Sequence, residues 1–158
     1  NHEIVINANS FLPVDNKMIP TGEFRDVTKT PFDFRKSKTI GKQINEENTQ
    51  LKIGNGYDHC WVLNGQGKGL PLVASAYDPV SGRLLEVYTD KPGIQFYSGN
   101  FLDGTLPSKL NGTYQYRTGF CLETQYYPDS PNQRNFPSVR LNPGEKYKSK
   151  TVFKFMTK

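Results

Sequence analysis

The sequence has few of the residues that build long helices, disulfide frameworks or membrane spans. Only three of its 158 residues are alanine, the strongest helix former, whereas the β-branched and aromatic residues that suit strands are plentiful. No run approaches the ~20 consecutive apolar residues of a membrane-spanning helix. Two cysteines in separate segments do not make a disulfide framework. The composition therefore favours an all-β protein and predicts no membrane partner.

The charge of the chain is mildly basic, with 20 Lys and Arg against 15 Asp and Glu. A nucleic-acid-binding protein usually concentrates such an excess on one face or along one helix. The densest basic run here is 146–150, followed by Lys154. On a strand, Lys148, Lys150 and Lys154 share one side, which is typical of a solvent-exposed edge. We therefore predict no nucleic-acid partner.

Alternation of apolar and polar residues recurs along the chain and predicts strands joined by turns. Asp78-Pro79 and Gly82 mark a tight turn, so the flanking runs 72–77 and 83–89 form a predicted β-hairpin. One short helix is predicted over 34–45, where Ile40 and Ile44 lie four residues apart. Together these patterns predict an all-β sandwich with long loops. Further strands are predicted at 4–8, 58–63, 94–98, 116–125 and 147–155, and the long loops at 13–30, 45–57, 102–115 and 126–138.

The residues that commonly bind phosphates or metals are sparse. Gly65-Gln66-Gly67-Lys68-Gly69 is glycine-rich but precedes no helix, so a flexible hairpin loop is predicted rather than a phosphate-binding loop. His2 and His59 are too few and too distant for a closed metal site, and we predict no metal. Cys60 and Cys121 are predicted to be buried free thiols, which suits a reducing compartment and hence the cytoplasm.

Two stretches place acidic groups within otherwise apolar strands. Asp58 heads the first, and in the second the alternation places Cys121 and Glu123 on one face. Each carboxylate could be a turn cap or a salt-bridge partner, or the two could form an acid–base pair of the glycosidase kind. Aromatic residues surround both motifs and would suit a sugar, although aromatic core packing explains most of them equally well. The residues alone leave these interpretations open.

Seven blocks in a fixed order resemble the aldose 1-epimerase family. They span nearly the whole chain, and their agreement in order makes the resemblance specific. The blocks are Phe11–Asp15, Ile19–Glu23, Thr30–Arg35, Gly56–His59, Pro92–Leu102, Gly119–Gln125 and Asn135–Glu145.

The resemblance implies a galactose-mutarotase-like β-supersandwich of which this chain is the C-terminal portion. It also implies an isomerase that interconverts the α and β anomers of free aldohexoses such as glucose or galactose, with neither metal nor cofactor. The family's glutamate base falls on Glu123. Its sugar-binding aspartate falls on Asp58, and Gln95 matches a position that lines the sugar site.

One part of the family pattern is missing. The Asn-His motif that carries the family's general acid does not occur here, because Asn1-His2 matches a different segment better and His59 is expected on the opposite side of its strand from Asp58. We therefore expect residues 1–158 to be the C-terminal part of a single epimerase domain. The N-terminal half of the same protein is the expected partner, and the chain alone is expected to lack efficient activity. An exported form stays open beside the cytoplasmic one.

Two alternatives to an epimerase of free sugars remain. One is a non-catalytic carbohydrate-binding β-sandwich on the same scaffold. The other is an epimerase relative that acts on sugar phosphates, which would need a cationic cluster, and Arg117 and Arg134 are the nearest candidates.

Overall fold

The structure, a computed structural model, describes residues 1–65, 67 and 69–158. Gln66 and Lys68, two residues of the predicted flexible loop 65–69, fall outside the described residues. The described part of the chain is built mainly of strands, which confirms the all-β prediction. The elements are β1 (Glu3–Ile6), β2 (Ala8–Leu12), β3 (Arg25–Asp26), β4 (Lys38–Thr39), α1 (Thr49–Ile53), β5 (Asp58–Leu63), β6 (Leu72–Tyr77), β7 (Arg83–Thr89), β8 (Gly93–Tyr97), β9 (Cys121–Gln125) and β10 (Thr151–Thr157). Across these residues, no helix combines the length and apolar character needed to traverse a bilayer.

The strands form two five-stranded antiparallel sheets. The first has the order β10-β7-β6-β1-β4 and the second the order β3-β2-β5-β8-β9. The predicted hairpin is confirmed, since β6 pairs with β7 and the Gly82 amide donates to the Asp78 carbonyl at 2.9 Å. Gly82 has a φ of 70°, which a residue without Cβ adopts without strain.

The main core lies between the two sheets and is dominated by aromatic rings. Trp61 on β5 and Phe96 on β8 are fully buried, and they pack with Ile4 and Ile6 of the first sheet. The indole N–H of Trp61 donates to the Phe32 carbonyl at 2.9 Å, so the only strongly polar atom of that side chain is paired. A smaller cluster on the other face of the second sheet contains Leu12, Cys60, Tyr127 and Phe136.

The predicted helix over 34–45 is wrong. Residues 38–39 form β4, which pairs with β1, and a single 3₁₀ turn follows at Ile40–Lys42. Pairing with the sheet edge prevails there over a weak helical pattern that contains Gly41. The short helix α1 starts later, where the Asn48 side chain accepts hydrogen bonds from the amides of Gln50 and Leu51.

Two predicted strands begin later than their sequence patterns indicate. Residues 116–120 lie outside β9, because Arg117 has a φ of 57° and its amide donates to the Gly99 carbonyl in a turn. Tyr147 likewise precedes β10, which starts at Thr151. The hydrogen bonds of these segments go to loops rather than to a neighbouring strand, so alternation alone misplaces their starts.

Candidate active site

The candidate residues lie on the face of the second sheet that points away from the main core. In the register of β5, β8 and β9, Gln95 is opposite Cys60 on one side and Glu123 on the other. Asp58 lies two residues from Cys60 along β5, opposite Tyr97, which in turn is opposite Cys121. Paired residues of an antiparallel sheet point the same way, and so do residues two apart on one strand. The three sequence-predicted site residues Asp58, Gln95 and Glu123 therefore share this face.

A chain of hydrogen bonds links the polar side chains of this face. The Gln95 Nε2 donates to Asp58 Oδ1 at 2.8 Å, and the Gln125 Nε2 donates to Gln95 Oε1 at 3.3 Å. Gln125 therefore fixes which end of the Gln95 amide faces Asp58. Sequence reasoning did not single out Gln125 as a site residue. Gln125 lies two residues from Glu123 on the same strand, so alternation places both side chains on one face.

Burial changes the acidity of the Asp58 carboxyl. The Asp58 side chain is half-buried, and this desolvation raises the pKa of its carboxyl, while the hydrogen bond from Gln95 lowers it. The charged form is thus less favourable than in water, and it is the Gln95 amide that partly compensates.

Glu123 differs from Asp58 because it is exposed on the open face of β9. Its neighbour on that face is Cys121, which is exposed, so the prediction of a buried thiol is confirmed for Cys60 and wrong for Cys121. The pKa of the Cys121 thiol is raised first by its partial burial and then by the negative charges of Glu123 and Asp58. Both carboxylates therefore lie near the same thiol on this open face. A polar molecule bound on the face would meet two carboxylates and an amide.

The position of Asp58 depends on the loop that precedes β5. Asn100 is buried, and its Nδ2 donates to the carbonyls of Gly54 at 2.9 Å and Tyr57 at 2.8 Å. Ser98 Oγ accepts from the Tyr57 amide at 3.1 Å. At Gly56, with a φ of 135°, an added Cβ would lie 2.4 Å from Asn100 Oδ1, so the loop passes too close for any side chain.

The two histidines lie away from the candidate face. His59 is fully buried in the main core, with its ring centroid 4.8 Å from Phe32, on the opposite side of β5 from Asp58 as predicted. Burial lowers the pKa of His59 to about 3, so the ring is neutral. His2 is exposed and packs edge-on against Phe120 at 5.5 Å. Neither histidine is placed to transfer a proton to a molecule held between Asp58 and Glu123.

The aromatic residues near the motifs divide between core and surface. Tyr57, Trp61 and Phe96 are fully buried and belong to the main core, so they fill the sandwich and do not contact a ligand. Tyr97 has the parity of Gln95, and its hydroxyl accepts from the Phe101 amide at 2.9 Å. Tyr97 therefore borders the candidate face, and so does Tyr127, which packs with Cys60.

The two arginines considered for a sugar-phosphate site lie in loops. The Arg117 guanidinium donates to Asn45 Oδ1 at 2.8 Å and to the Asn55 carbonyl at 2.7 Å, so it holds loops together. Arg134 is exposed and lines a surface cavity with Phe136 and Ser138. Within the described part of the chain, no group of three His, Cys, Asp or Glu side chains could hold a metal ion.

Comparison with known proteins identifies the class to which this sheet face and these motifs belong. The family model described as Aldose 1-epimerase matches residues 1–154, and the chain belongs to that family. The resemblance inferred from the sequence blocks is thereby confirmed.

Individual relatives agree with this assignment. The chain is 50% identical to galactose mutarotase of Bos taurus over 154 residues, which are 98% of this chain and 43% of that protein. It is 40% identical to aldose 1-epimerase of Escherichia coli (strain K12) over 158 residues, 99% of this chain and 45% of that protein. A crystal structure of an aldose epimerase homologue from C. elegans superimposes with a TM-score of 0.81 at 29% identity, over 99% of this chain and 46% of that one. The chain thus spans less than half the length of the curated relatives it matches.

Proposed function

We propose that this chain carries the base-bearing part of an aldose 1-epimerase, an isomerase that interconverts the α and β anomers of free aldohexoses such as glucose or galactose. The observation that supports the proposal most directly is the shared sheet face of Glu123, Gln95 and Asp58, with Gln95 bonded to Asp58 at 2.8 Å. Membership of the family supplies the reaction class.

Glu123 is the proposed general base. Its carboxylate accepts the proton of the C1 hydroxyl while a C1 carbonyl forms and the bond from C1 to the ring oxygen breaks. A general acid protonates the ring oxygen, rotation about the C1–C2 bond turns the aldehyde over, and the reverse steps close the ring to the other anomer. The exchange consists of proton transfers without a net change of oxidation state, and the exposed Glu123 can approach a sugar hydroxyl directly.

Asp58 and Gln95 are the proposed sugar-binding groups. A carboxylate accepts hydrogen bonds from sugar hydroxyls, and an amide both donates and accepts. Because Gln125 and Asp58 occupy opposite ends of the Gln95 amide, the orientation of Gln95 is set before a sugar arrives. Such preorganisation lowers the entropic cost of binding.

The general acid is proposed to be a histidine on the part of the family domain that these residues do not match. His59 is enclosed in the core and His2 packs on Phe120, so neither serves. The proposed arrangement makes residues 1–158 the C-terminal part of the domain and the N-terminal half of the same protein its partner. A cytoplasmic location is part of the proposal, since Cys60 and Cys121 are both free thiols.

The substitution Glu123→Gln tests the proposal. We expect the anomerisation rate of freshly dissolved α-glucose or α-galactose, followed by polarimetry in the presence of the N-terminal half, to fall about 10²- to 10⁴-fold, because the base is lost. Sugar affinity, measured by calorimetry, should change little, because the amide keeps the shape and one acceptor of the carboxylate. Glu47→Gln, at another exposed position, is the matched control and should leave both quantities unchanged.

Two results would contradict the proposal. An unchanged rate in the Glu123→Gln protein would remove Glu123 from the base role. Sugar binding by the unsubstituted protein without any acceleration of anomerisation would instead identify a non-catalytic carbohydrate-binding module on the same scaffold.

A further inference from the structure

A concave, strongly cationic cleft lies beside β4, away from the candidate active site. Its walls carry the cations Lys29, Arg35, Lys36, Lys38 and Lys42 and the single acid Asp33, around a volume of about 760 Å³. Five cations minus one acid leave a formal charge of +4 on the cleft, against +5 for the whole chain. Charge of one sign in a concave surface focuses the electrostatic potential and attracts counter-ions.

Lys38 is the most constrained cation of this cleft. Its half-buried ammonium donates to the Pro31 carbonyl at 2.6 Å and to Gln43 Oε1 at 2.7 Å, and it lies 4.2 Å from the centroid of the Phe34 ring. These partners are neutral, and among the residues that the structure describes no carboxylate forms a salt bridge with Lys38. Burial lowers the pKa of Lys38 to about 8, although the negative charges of Asp33 and Glu46, neither in direct contact with the ammonium, oppose this shift.

The one acid of the cleft is already engaged. Asp33 accepts a bidentate pair from Arg35, at 2.9 Å from Nε and 2.6 Å from Nη2. Arg35 also donates to Thr28 Oγ1 at 2.9 Å. The hydrogen bonds from Arg35 hold the pKa of Asp33 below its usual range, so this carboxylate stays charged and paired. The charge of the four lysines is therefore left without a matching anion from Asp33.

We propose that this cleft binds the phosphoryl group of a small molecule, either inorganic phosphate or the phosphate of a sugar ester. Lysine ammonium groups bind phosphate as point charges, and several of them around one cleft match a dianion. The volume of the cleft lies in the range of small-molecule sites. The site is separate from the proposed sugar site, because none of Asp58, Gln95 and Glu123 lines the cleft. The proposal does not depend on the epimerase activity.

Calorimetric titration of the chain together with the N-terminal half of the protein, in dilute buffer, tests the site, with inorganic phosphate and glucose 6-phosphate as separate probes. We expect saturable one-to-one binding that weakens about tenfold or more in Lys38→Met, which keeps the apolar stem and removes the charge. Lys109→Met removes one charge from an exposed turn outside the cleft and should leave the affinity within about twofold.

A second pair of variants keeps the test independent of the structural contacts of Lys38. Lys36 and Lys42 are exposed, so the double substitution K36M/K42M should fold normally and still weaken binding about tenfold, whereas K17M/K109M should not. Tighter binding of the ester identifies a sugar phosphate as the ligand, and equal affinity identifies free phosphate. Absence of saturable binding for both probes, or equal weakening by the cleft and control variants, overturns the proposal.

Discussion

At the scale of single residues, two carboxylates on one sheet face have different environments. Asp58 is half-buried and bonded to Gln95, whereas Glu123 is exposed. A proposed base must reach its proton, and a proposed binding group must be held still, so the two environments match the two roles. Placing Asp58 in this position has a cost, because its charge is partly removed from water.

That cost gives a prediction for Asp58→Asn. The folded protein has a raised Asp58 pKa, so it binds the proton more tightly than the unfolded chain, and ionisation as pH rises lowers stability. Asp58→Asn should therefore increase the free energy of unfolding at pH 7, and the gain should disappear near pH 3, where the unfolded chain is also protonated. Urea denaturation at both pH values measures it.

Asp103→Asn provides the matched control for this prediction. Asp103 is exposed, and hydrogen bonds from Thr105 lower its pKa, so the charged form is favoured in the folded protein. Its substitution should give no gain at pH 7. If the Asp58→Asn protein is instead less stable than the unsubstituted one at pH 7, the contacts of the carboxylate contribute more stability than its desolvation costs.

The sequence could place these residues only in part. The alternation of side chains along the strand predicts that Cys121 and Glu123 share one face. The blocks that resemble the family indicate Asp58 and Gln95 as candidate sugar-binding residues. The hydrogen bond between Gln95 and Asp58 was not accessible, because it depends on the register between β5 and β8, which lie more than 30 residues apart. The role of Gln125 was missed for the same reason.

At the scale of elements, the turn after β8 supports the loop before β5. Asn100 bonds to two carbonyls of that loop and accepts from Ser98 Oγ at 2.7 Å. These bonds are buried, so each lost partner leaves a polar group without water. The loop and the turn therefore act as one unit that sets where Asp58 enters its strand.

Asn100→Ala should disturb this unit. We expect a loss of about 1–3 kcal/mol in the free energy of unfolding, because buried carbonyls lose their donor. Sugar affinity should also fall, because Asp58 is no longer held in place, and calorimetry on the folded protein measures this separately from denaturation. Asn16→Ala, at an exposed turn position, should change neither value by more than about 0.5 kcal/mol. Unchanged stability and affinity in Asn100→Ala would disprove the supporting role.

The elements also show where sequence patterns are insufficient. The hairpin β6-β7 follows from its turn residues, and its predicted limits agree with those of the structure. The segment 34–45 has helical spacing, yet it contributes β4, because β1 offers an unpaired edge that a single sequence window does not reveal. The turn residues determine the hairpin locally, whereas pairing with the distant strand β1 determines the structure of residues 38–39.

At the scale of the whole molecule, the sandwich encloses a titratable ring. His59 packs edge-on against the stacked rings of Phe11 and Phe32, at centroid distances of 5.8 and 4.8 Å, and its Nε2 has no hydrogen-bond partner in the described structure. A neutral imidazole fits this environment, but a charged one would place an unpaired cation in an aromatic core. The stability of the fold is therefore linked to the protonation of one residue.

We expect this linkage to make the protein acid-sensitive. The folded pKa of His59 is lowered to about 3, whereas the unfolded value is near 6.5. The contribution of the neutral ring is complete above about pH 6.5 and is lost as pH falls toward 3, with a slope of up to ~1.4 kcal/mol per pH unit. His59→Phe should flatten the dependence of the unfolding free energy on pH between 6 and 4.

Exposed His2 offers the control, and His2→Gln should leave the slope unchanged. An identical slope for the unsubstituted and His59→Phe proteins would mean that other groups govern the acid response.

The rung that aligns Cys60, Gln95 and Glu123 also limits how the chain can change in length. Because side chains alternate, deletion of one residue within β8 would move Gln95 toward the core and bring Ile94 or Phe96 to the open face. No substitution elsewhere in the strand could restore both faces at once. Insertions and deletions that preserve function must therefore fall in the connecting loops, because the lengths of β5, β8 and β9 fix which residues face the site.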